Sequence, residues 1–114
     1  MQSGRSSTSM KHLTAEDLAD RHETQDSDVT TVFDEDAMVI EQSRYRAEKA
    51  EETDARTHTD DEFYYITAGS GKMRVGNETS EVSSGDVIYV EGGVEHDFFD
   101  IDEELRTLKV FASP

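Results

Sequence analysis

Hydrophobic and polar residues alternate or cluster in short stretches along most of this chain beyond residue 28. Stretches of about four to eight such residues, separated by segments that contain Gly, Asn, Asp or Ser, are typical of β-strands. The pattern predicts strands at residues 29–33, 38–46, 62–66, 72–75, 79–82, 87–90, 96–101 and 105–112. It predicts turns at the Gly-containing segments 68–71, 76–78 and 83–86. We therefore expect an all-β fold, an antiparallel jelly-roll-like β-barrel.

The N-terminal part of the chain follows a different pattern. Residues 1–9 are rich in Ser, Thr and Gly and have no hydrophobic periodicity, so they are predicted to be a flexible tail. Thr14 is a favoured helix N-cap, and Asp17 stands where its side chain can complete a capping box. The short helix predicted after Thr14 extends to about His22. The expected division is therefore a tail and helix at 1–28 and a barrel at 29–114.

The charge of the chain limits its partners and its environment. Asp and Glu number 27 and Lys and Arg number 11, which gives a net charge of -16 in 114 residues. The acidic residues are spread along the whole chain, as in halophilic proteins of a salt-rich cytoplasm, where salt screens self-repulsion. This sign of charge disfavours nucleic acid as a partner. Hydrophobic runs are too short for a membrane span and the N-terminus lacks a secretory apolar core, so we expect a soluble, cytoplasmic protein. Cysteine is absent, so disulfides are excluded and the compartment cannot be inferred from redox usage.

Two groups of residues in the predicted barrel are spaced in a way that points to a function. The first comprises His58, Glu62 and Gly69, and the second comprises Gly85, Gly93 and His96. Their order and spacing resemble the two motifs of the cupin family of small β-barrels, and the resemblance covers about residues 39–112. It implies that His58, Glu62 and His96 bind one divalent metal ion, Fe, Mn, Ni or Zn.

The spacing of the first two predicted ligands requires a reversal of the chain between them. On a straight strand, which rises about 3.3 Å per residue, His58 and Glu62 would lie roughly 13 Å apart. A single metal ion cannot bind both side chains at that separation. Residues 59–61 are Thr, Asp and Asp, which favour a turn. A hairpin is therefore predicted to bring the two ligands together.

The chain departs from the cupin pattern where the first histidine is expected, because Arg56 stands there. Alternation along a strand would place Arg56 on the same face as His58. Inside the barrel, its guanidinium would repel a cation and pair with Glu62, which gives a metal-free barrel. At the barrel mouth, it would bind a substrate carboxylate bidentately beside a three-ligand metal. Both alternatives remain open, and Arg56 is predicted to bind substrate together with Tyr64, which shares strand parity with Glu62.

Three functional classes are compatible with these residues. The first is a metal-dependent enzyme that acts on a small oxygenated molecule, with its catalytic residues unknown. The second is a non-catalytic barrel that binds a small molecule or anion without metal, and the third is a dimeric interaction module. A homodimer is expected in each class, because single-domain cupins generally pair through their sheets. His12 and His22 are isolated in the tail and the helix, so we expect both to be exposed and outside the site.

Overall fold

The computed structural model of the chain describes residues 10–35, 37–46 and 60–112. These residues form one helix and six strands: α1 (Ala15–Thr24), β1 (Val29–Asp34), β2 (Met38–Tyr45), β3 (Glu62–Val75), β4 (Glu78–Ser83), β5 (Val87–Val90) and β6 (His96–Ala112). All pairings are antiparallel, in the order β1-β2-β6-β3-β4, and β5 also pairs with β3. The expected all-β, jelly-roll-like fold with one short helix is confirmed. The predicted tail at 1–9 lies outside the described residues.

The two longest strands, β3 and β6, bend, so that each takes part in two different regions of the sheet. The first part of β3 pairs with β5 and the end of β6, and its second part pairs with β4 and the start of β6. The register between β3 and β6 shifts three times between Ile66 and Lys72. Inner side chains from the two parts of the strands therefore face each other across a shared interior. Tyr64 and Phe98 illustrate this, because their rings meet edge to face at 5.1 Å.

The turn predicted at residues 68–71 is wrong, because this segment lies within the continuous strand β3. Gly69 has a φ of 88°, a conformation that glycine adopts without steric cost. A Cβ atom on Gly69 would lie 1.9 Å from the carbonyl oxygen of Glu104. The glycine therefore permits a bend and a close approach to β6 within the ladder, where the sequence pattern indicated a chain reversal.

The helix α1 packs on the outer face of β2. Thr14 and Asp17 form the predicted capping box, with both hydrogen bonds at 3.0 Å. At the other end of α1, the guanidinium of Arg44 donates hydrogen bonds to the carbonyl oxygens of His22 and Gln25. These bonds satisfy carbonyl groups that the last helical turn leaves without a partner. Among the described residues, α1 is the only helix, and it is too short and too polar to span a membrane.

The expectation that His22 is exposed is wrong, whereas His12 is exposed as expected. His22 is only 2% exposed, because it lies on the side of α1 that packs on β2. Burial, followed by the nearby positive charge of Arg106, lowers the pKa of His22 from 6.5 to about 4. Solvation of the charged imidazolium is lost in this position, so the neutral ring is favoured. The sequence alone did not predict this because the helix side that packs on β2 carries few hydrophobic residues.

Candidate functional site

Glu62 and His96 lie together inside the barrel, as the motif resemblance implied for these two residues. Glu62 begins β3 and His96 begins β6, and both side chains are buried. The Nε2 atom of His96 is 3.7 Å from the Oε2 atom of Glu62. The two side chains come from strand ends that are far apart in sequence, and the bend in β3 and β6 brings them into contact.

The backbone fixes the orientation and tautomer of the His96 ring. Its Nδ1 atom is 3.0 Å from the carbonyl oxygen of Val94. A carbonyl oxygen accepts hydrogen bonds but cannot donate, so Nδ1 of the neutral ring carries the hydrogen. The lone pair therefore resides on Nε2, which faces Glu62. This is the arrangement by which proteins orient a metal-binding histidine.

Tyr64 completes a hydrogen-bonded group at the same place. Its hydroxyl is 3.1 Å from Nε2 of His96, and because that nitrogen carries the lone pair, the hydroxyl donates. The predicted parity of Tyr64 with Glu62 is thus observed, since both are buried on the inner face of β3. Tyr64 and a metal ion would compete for the same lone pair of His96.

The geometry of Glu62 and His96 fits a metal ion. Two ligand atoms that each lie about 2.1 Å from a common ion are separated by roughly 3.4 Å at a tetrahedral angle. The observed separation of 3.7 Å therefore requires only a small adjustment. Within residues 10–35, 37–46 and 60–112, no group of three His, Cys, Asp or Glu side chains is positioned to hold a metal. The third predicted ligand, His58, lies outside the described residues, as does Arg56.

Asp61 holds the beginning of β3 in place. Its Oδ1 atom accepts a hydrogen bond of 2.8 Å from the backbone N–H of Gly92. This bond, together with one from the Tyr89 hydroxyl, lowers the pKa of the Asp61 carboxyl group. The backbone carbonyl of Asp61 also accepts a bond from the Ala112 N–H at 3.2 Å. These contacts fix the backbone immediately before Glu62, so Asp61 acts as a positioning residue for the site.

Lys109 is a buried charged residue that the sequence reasoning missed. Its Cα is paired with that of Tyr64 in the ladder between β6 and β3. The Nζ atom lies over the Tyr64 ring, 5.6 Å from the ring centroid, and the side chain is only 4% exposed. The parity of Lys109 with Leu105 along β6 is the sequence signal that could have placed it inside. Lysine is so commonly exposed that the signal was easily overlooked.

An open cleft of about 420 Å³ lies between β4 and β5. Val75 and Ile88 are among its lining residues. Val75 is the cross-strand neighbour of His96, and Ile88 is that of Tyr64. The cleft is therefore lined by residues that neighbour the site residues in the sheet, and not by the site residues themselves.

Comparisons with known proteins agree with the fold and the motif resemblance. A family model described as "Cupin domain" matches residues 43–111. The uncharacterized protein SCO3923 of Streptomyces coelicolor is 44% identical over 59 residues, which cover 52% of this chain and 56% of that protein. This chain thus spans only about half the length of the curated relative that it matches.

Two solved structures show the same fold at low sequence identity. BH2720 of Bacillus halodurans is 15% identical, with a TM-score of 0.75 over 92% of this chain and 83% of that chain. The FeII form of HppE is 17% identical, with a TM-score of 0.58 over 66% of this chain and 42% of that chain. At these identities the likeness establishes the fold, and any shared chemistry must be argued from the side chains.

Proposed function

Because this chain belongs to the cupin domain family, we propose that it binds one divalent metal ion through His58, Glu62 and His96 and acts on a small oxygenated molecule there. The observation that carries the proposal is the position of the His96 ring, whose Nδ1 atom contacts the Val94 carbonyl and whose Nε2 atom lies 3.7 Å from the Glu62 carboxylate. Two imidazoles and one carboxylate suit Fe, Mn, Ni or Zn and leave positions open for a ligand. The FeII form of HppE shares the fold, so such a barrel is compatible with iron.

The chain's own residues have distinct roles in this proposal. A bound metal supplies Lewis acidity toward a ligand oxygen. Val94 keeps the His96 ring in the metal-binding tautomer. In the neutral Nδ1–H tautomer of His96, the Tyr64 hydroxyl donates a hydrogen bond to Nε2, and it would be available to a ligand oxygen if that nitrogen held a metal. Burial of Glu62 and His96 keeps bulk water away from both.

A metal-free binding barrel is the second candidate function, and the Tyr64–His96 hydrogen bond favours it. At 3.1 Å this bond already satisfies the Nε2 lone pair. In that case the barrel binds a small molecule or anion without turnover, and Arg56 pairs with Glu62 or holds the ligand. The two functions differ in one measurable quantity, the metal content of the purified protein.

The experiment is metal analysis of protein purified in salt without chelator, followed by titration of metal into chelator-treated protein. The metal-site proposal predicts near-stoichiometric metal in the wild type. His96→Ala and Glu62→Gln should each lower metal affinity by at least the roughly 10–100-fold that loss of an outer partner of a ligand costs. His12→Ala is the matched control, because His12 is exposed and outside the barrel. A wild type that binds no metal, or a His96→Ala variant that binds it unchanged, would refute the proposal and favour the binding barrel.

A further inference from the structure

The inner face next to the candidate metal site carries a second polar group, formed by two neighbouring cross-strand pairs. In the ladder between β2 and β6, Glu41 is paired with Lys109 and Ser43 is paired with Thr107. Lys109 and Thr107 are two positions apart on β6, as Glu41 and Ser43 are on β2, so all four occupy one face. Lys109 contacts the inner residue Tyr64, which identifies that face as the inner one.

The ammonium group of Lys109 has hydrogen-bonding capacity beyond its contacts with the described residues. Its Nζ atom is 3.6 Å from Oε1 of Glu41, which is longer than a hydrogen bond of about 2.7–3.2 Å. Its other contacts are with the rings of Tyr64 and Phe111, whose centroids are 5.6 Å and 5.0 Å away. An ammonium has three N–H donors, and neither a distant carboxylate nor a ring face satisfies them fully.

The two hydroxyl groups beside Lys109 are buried and also have capacity for a ligand. Ser43 and Thr107 are both 0% exposed. Within the part of the chain that the structure describes, neither Oγ of Ser43 nor Oγ1 of Thr107 has a hydrogen-bond partner. Leaving a buried hydroxyl unbonded is costly, so native proteins rarely do so without a function or a bound molecule.

The balance of charge indicates what kind of ligand this group accepts. Among the described inner residues, Glu41 and Glu62 carry formal negative charges and Lys109 carries a positive one. A divalent ion at Glu62 and His96 would change their formal sum from -1 to +1, by adding 2. A monocarboxylate would then balance the formal charge of these described groups, and unbalanced charge in a protein interior is costly.

We propose that Lys109, Ser43 and Thr107 form a carboxylate-binding subsite beside the metal site, so that the small oxygenated ligand is a carboxylic acid. The inference rests on the proposed function and narrows its substrate class. Tyr64 connects the two subsites, because its hydroxyl bonds to His96 and its ring contacts Lys109. One end of the acid binds as a carboxylate at Lys109, and a second oxygen lies at the Glu62–His96 end.

The test compares glycolate with its neutral amide, glycolamide, by titration calorimetry on metal-loaded protein at constant ionic strength. The two probes have nearly the same shape and differ in charge. We expect glycolate to bind at least tenfold more tightly than glycolamide. Lys109→Met should remove at least tenfold of the glycolate affinity and leave glycolamide binding unchanged. Lys72→Met is the matched control, because Lys72 pairs with Asp100 at the surface.

Thr107→Val and Ser43→Ala keep the test decisive if Lys109→Met does not fold. Each removes one hydroxyl at nearly constant volume, and each should weaken glycolate about threefold without changing glycolamide. Equal affinity for the two probes in the wild type, or wild-type glycolate binding in Thr107→Val and in folded Lys109→Met, would overturn the subsite. Metal content is measured separately on each sample. If the protein contains metal but its glycolate affinity does not depend on Lys109, only the subsite is refuted. If glycolate binding depends on Lys109 but the protein binds no metal, only the metal site is refuted.

Discussion

The inner and outer faces of the first part of β3 differ in a way that reverses the usual pattern of a half-buried strand. Glu62 and Tyr64 point inward and are each 3% exposed, whereas Phe63 and Tyr65 point outward and are 39% and 41% exposed. An antiparallel strand of this kind normally buries hydrophobic side chains and exposes polar ones. Burying a carboxylate costs several kcal/mol unless it is well paired. The proposed metal site gives a reason for a carboxylate at this inner position.

The reversal ends at Ile66, the next inner residue of the same strand. Ile66 is fully buried and belongs to a cluster of hydrophobic side chains with Met73, Phe98 and Leu105. The interior therefore has an apolar part, which stabilises the barrel, and a polar part, which begins at Tyr64 and extends to Glu62, His96 and Lys109. Substitutions in the apolar part should mainly lower the stability of the protein. Substitutions in the polar part should mainly lower its affinity for a ligand.

The largest effect is expected from Ile66→Ala. Removing a fully buried isoleucine side chain leaves a cavity, so the free energy of unfolding should fall by about 2–5 kcal/mol. Val87→Ala on the outer face is the matched control, since Val87 is 64% exposed and is the cross-strand neighbour of Tyr65. It should cost about 1 kcal/mol or less. Denaturant unfolding measures both, and similar costs for the two variants would contradict the assignment of inner and outer faces.

The second largest effect is expected on the pH dependence of stability, through His22 of α1, which covers part of the outer face. His22 has a pKa of about 4 when folded and 6.5 when unfolded, so between these values the unfolded chain binds more protons. The contribution of His22 to stability is therefore fully present above pH 6.5 and is lost as the pH falls to about 4.

Unfolding measured from pH 7 to pH 4 tests this pH dependence. Carboxyl groups also lose stabilising interactions in acid, so the informative quantity is the difference between the wild type and His22→Asn. That variant should have a flatter profile over this range, because it lacks the titrating group. His12→Asn should keep the wild-type profile, since His12 is exposed. Parallel profiles for the wild type and His22→Asn would show that the buried imidazole does not contribute.

Local sequence signals were sufficient to predict most of the fold. The capping box of Thr14 and Asp17 depends on residues three positions apart, so the helix start could be predicted from the sequence alone. Strand existence followed from alternation. The continuity of β3 through Gly69 could not be predicted, because the close approach of the Glu104 backbone that requires this glycine is a long-range contact. A glycine-rich segment predicts a turn equally well when only its neighbours in sequence are known.

The site was only partly predictable, for the same reason. The cupin motif spacing identified Glu62 and His96, and strand parity added Tyr64. Lys109 was missed because lysine is rarely buried, and its partner Glu41 comes from a strand that no local pattern connects to it. Ser43 and Thr107 carry no sequence signal at all, since small hydroxyl residues are common on either face of a strand. Only the pairing of β2 with β6 brings these residues together.

The smallest effect is expected on dimerisation. We expect a second copy of the chain to bind to the outer face of β3 and β5. Phe63, Tyr65, Val87 and Tyr89 form two cross-strand pairs on β3 and β5, and all four are exposed. Two copies of a chain with a net charge of -16 repel each other, so they should meet where exposed side chains are hydrophobic or aromatic, as these four are. Salt should then strengthen the dimer, because it screens the repulsion without weakening hydrophobic contacts.

Sedimentation at increasing protein and salt concentration tests this interface. Val87→Asp adds one negative charge to each copy at the patch and should weaken dimerisation at least tenfold, or about 1.4 kcal/mol. Thr79→Asp adds the same charge at an exposed position of β4 and should leave the equilibrium nearly unchanged. A wild type that stays monomeric at high salt, or a Val87→Asp variant that dimerises normally, would show that the exposed aromatic side chains of β3 serve another purpose. The reversed polarity of this strand would then require an explanation on its inner face alone.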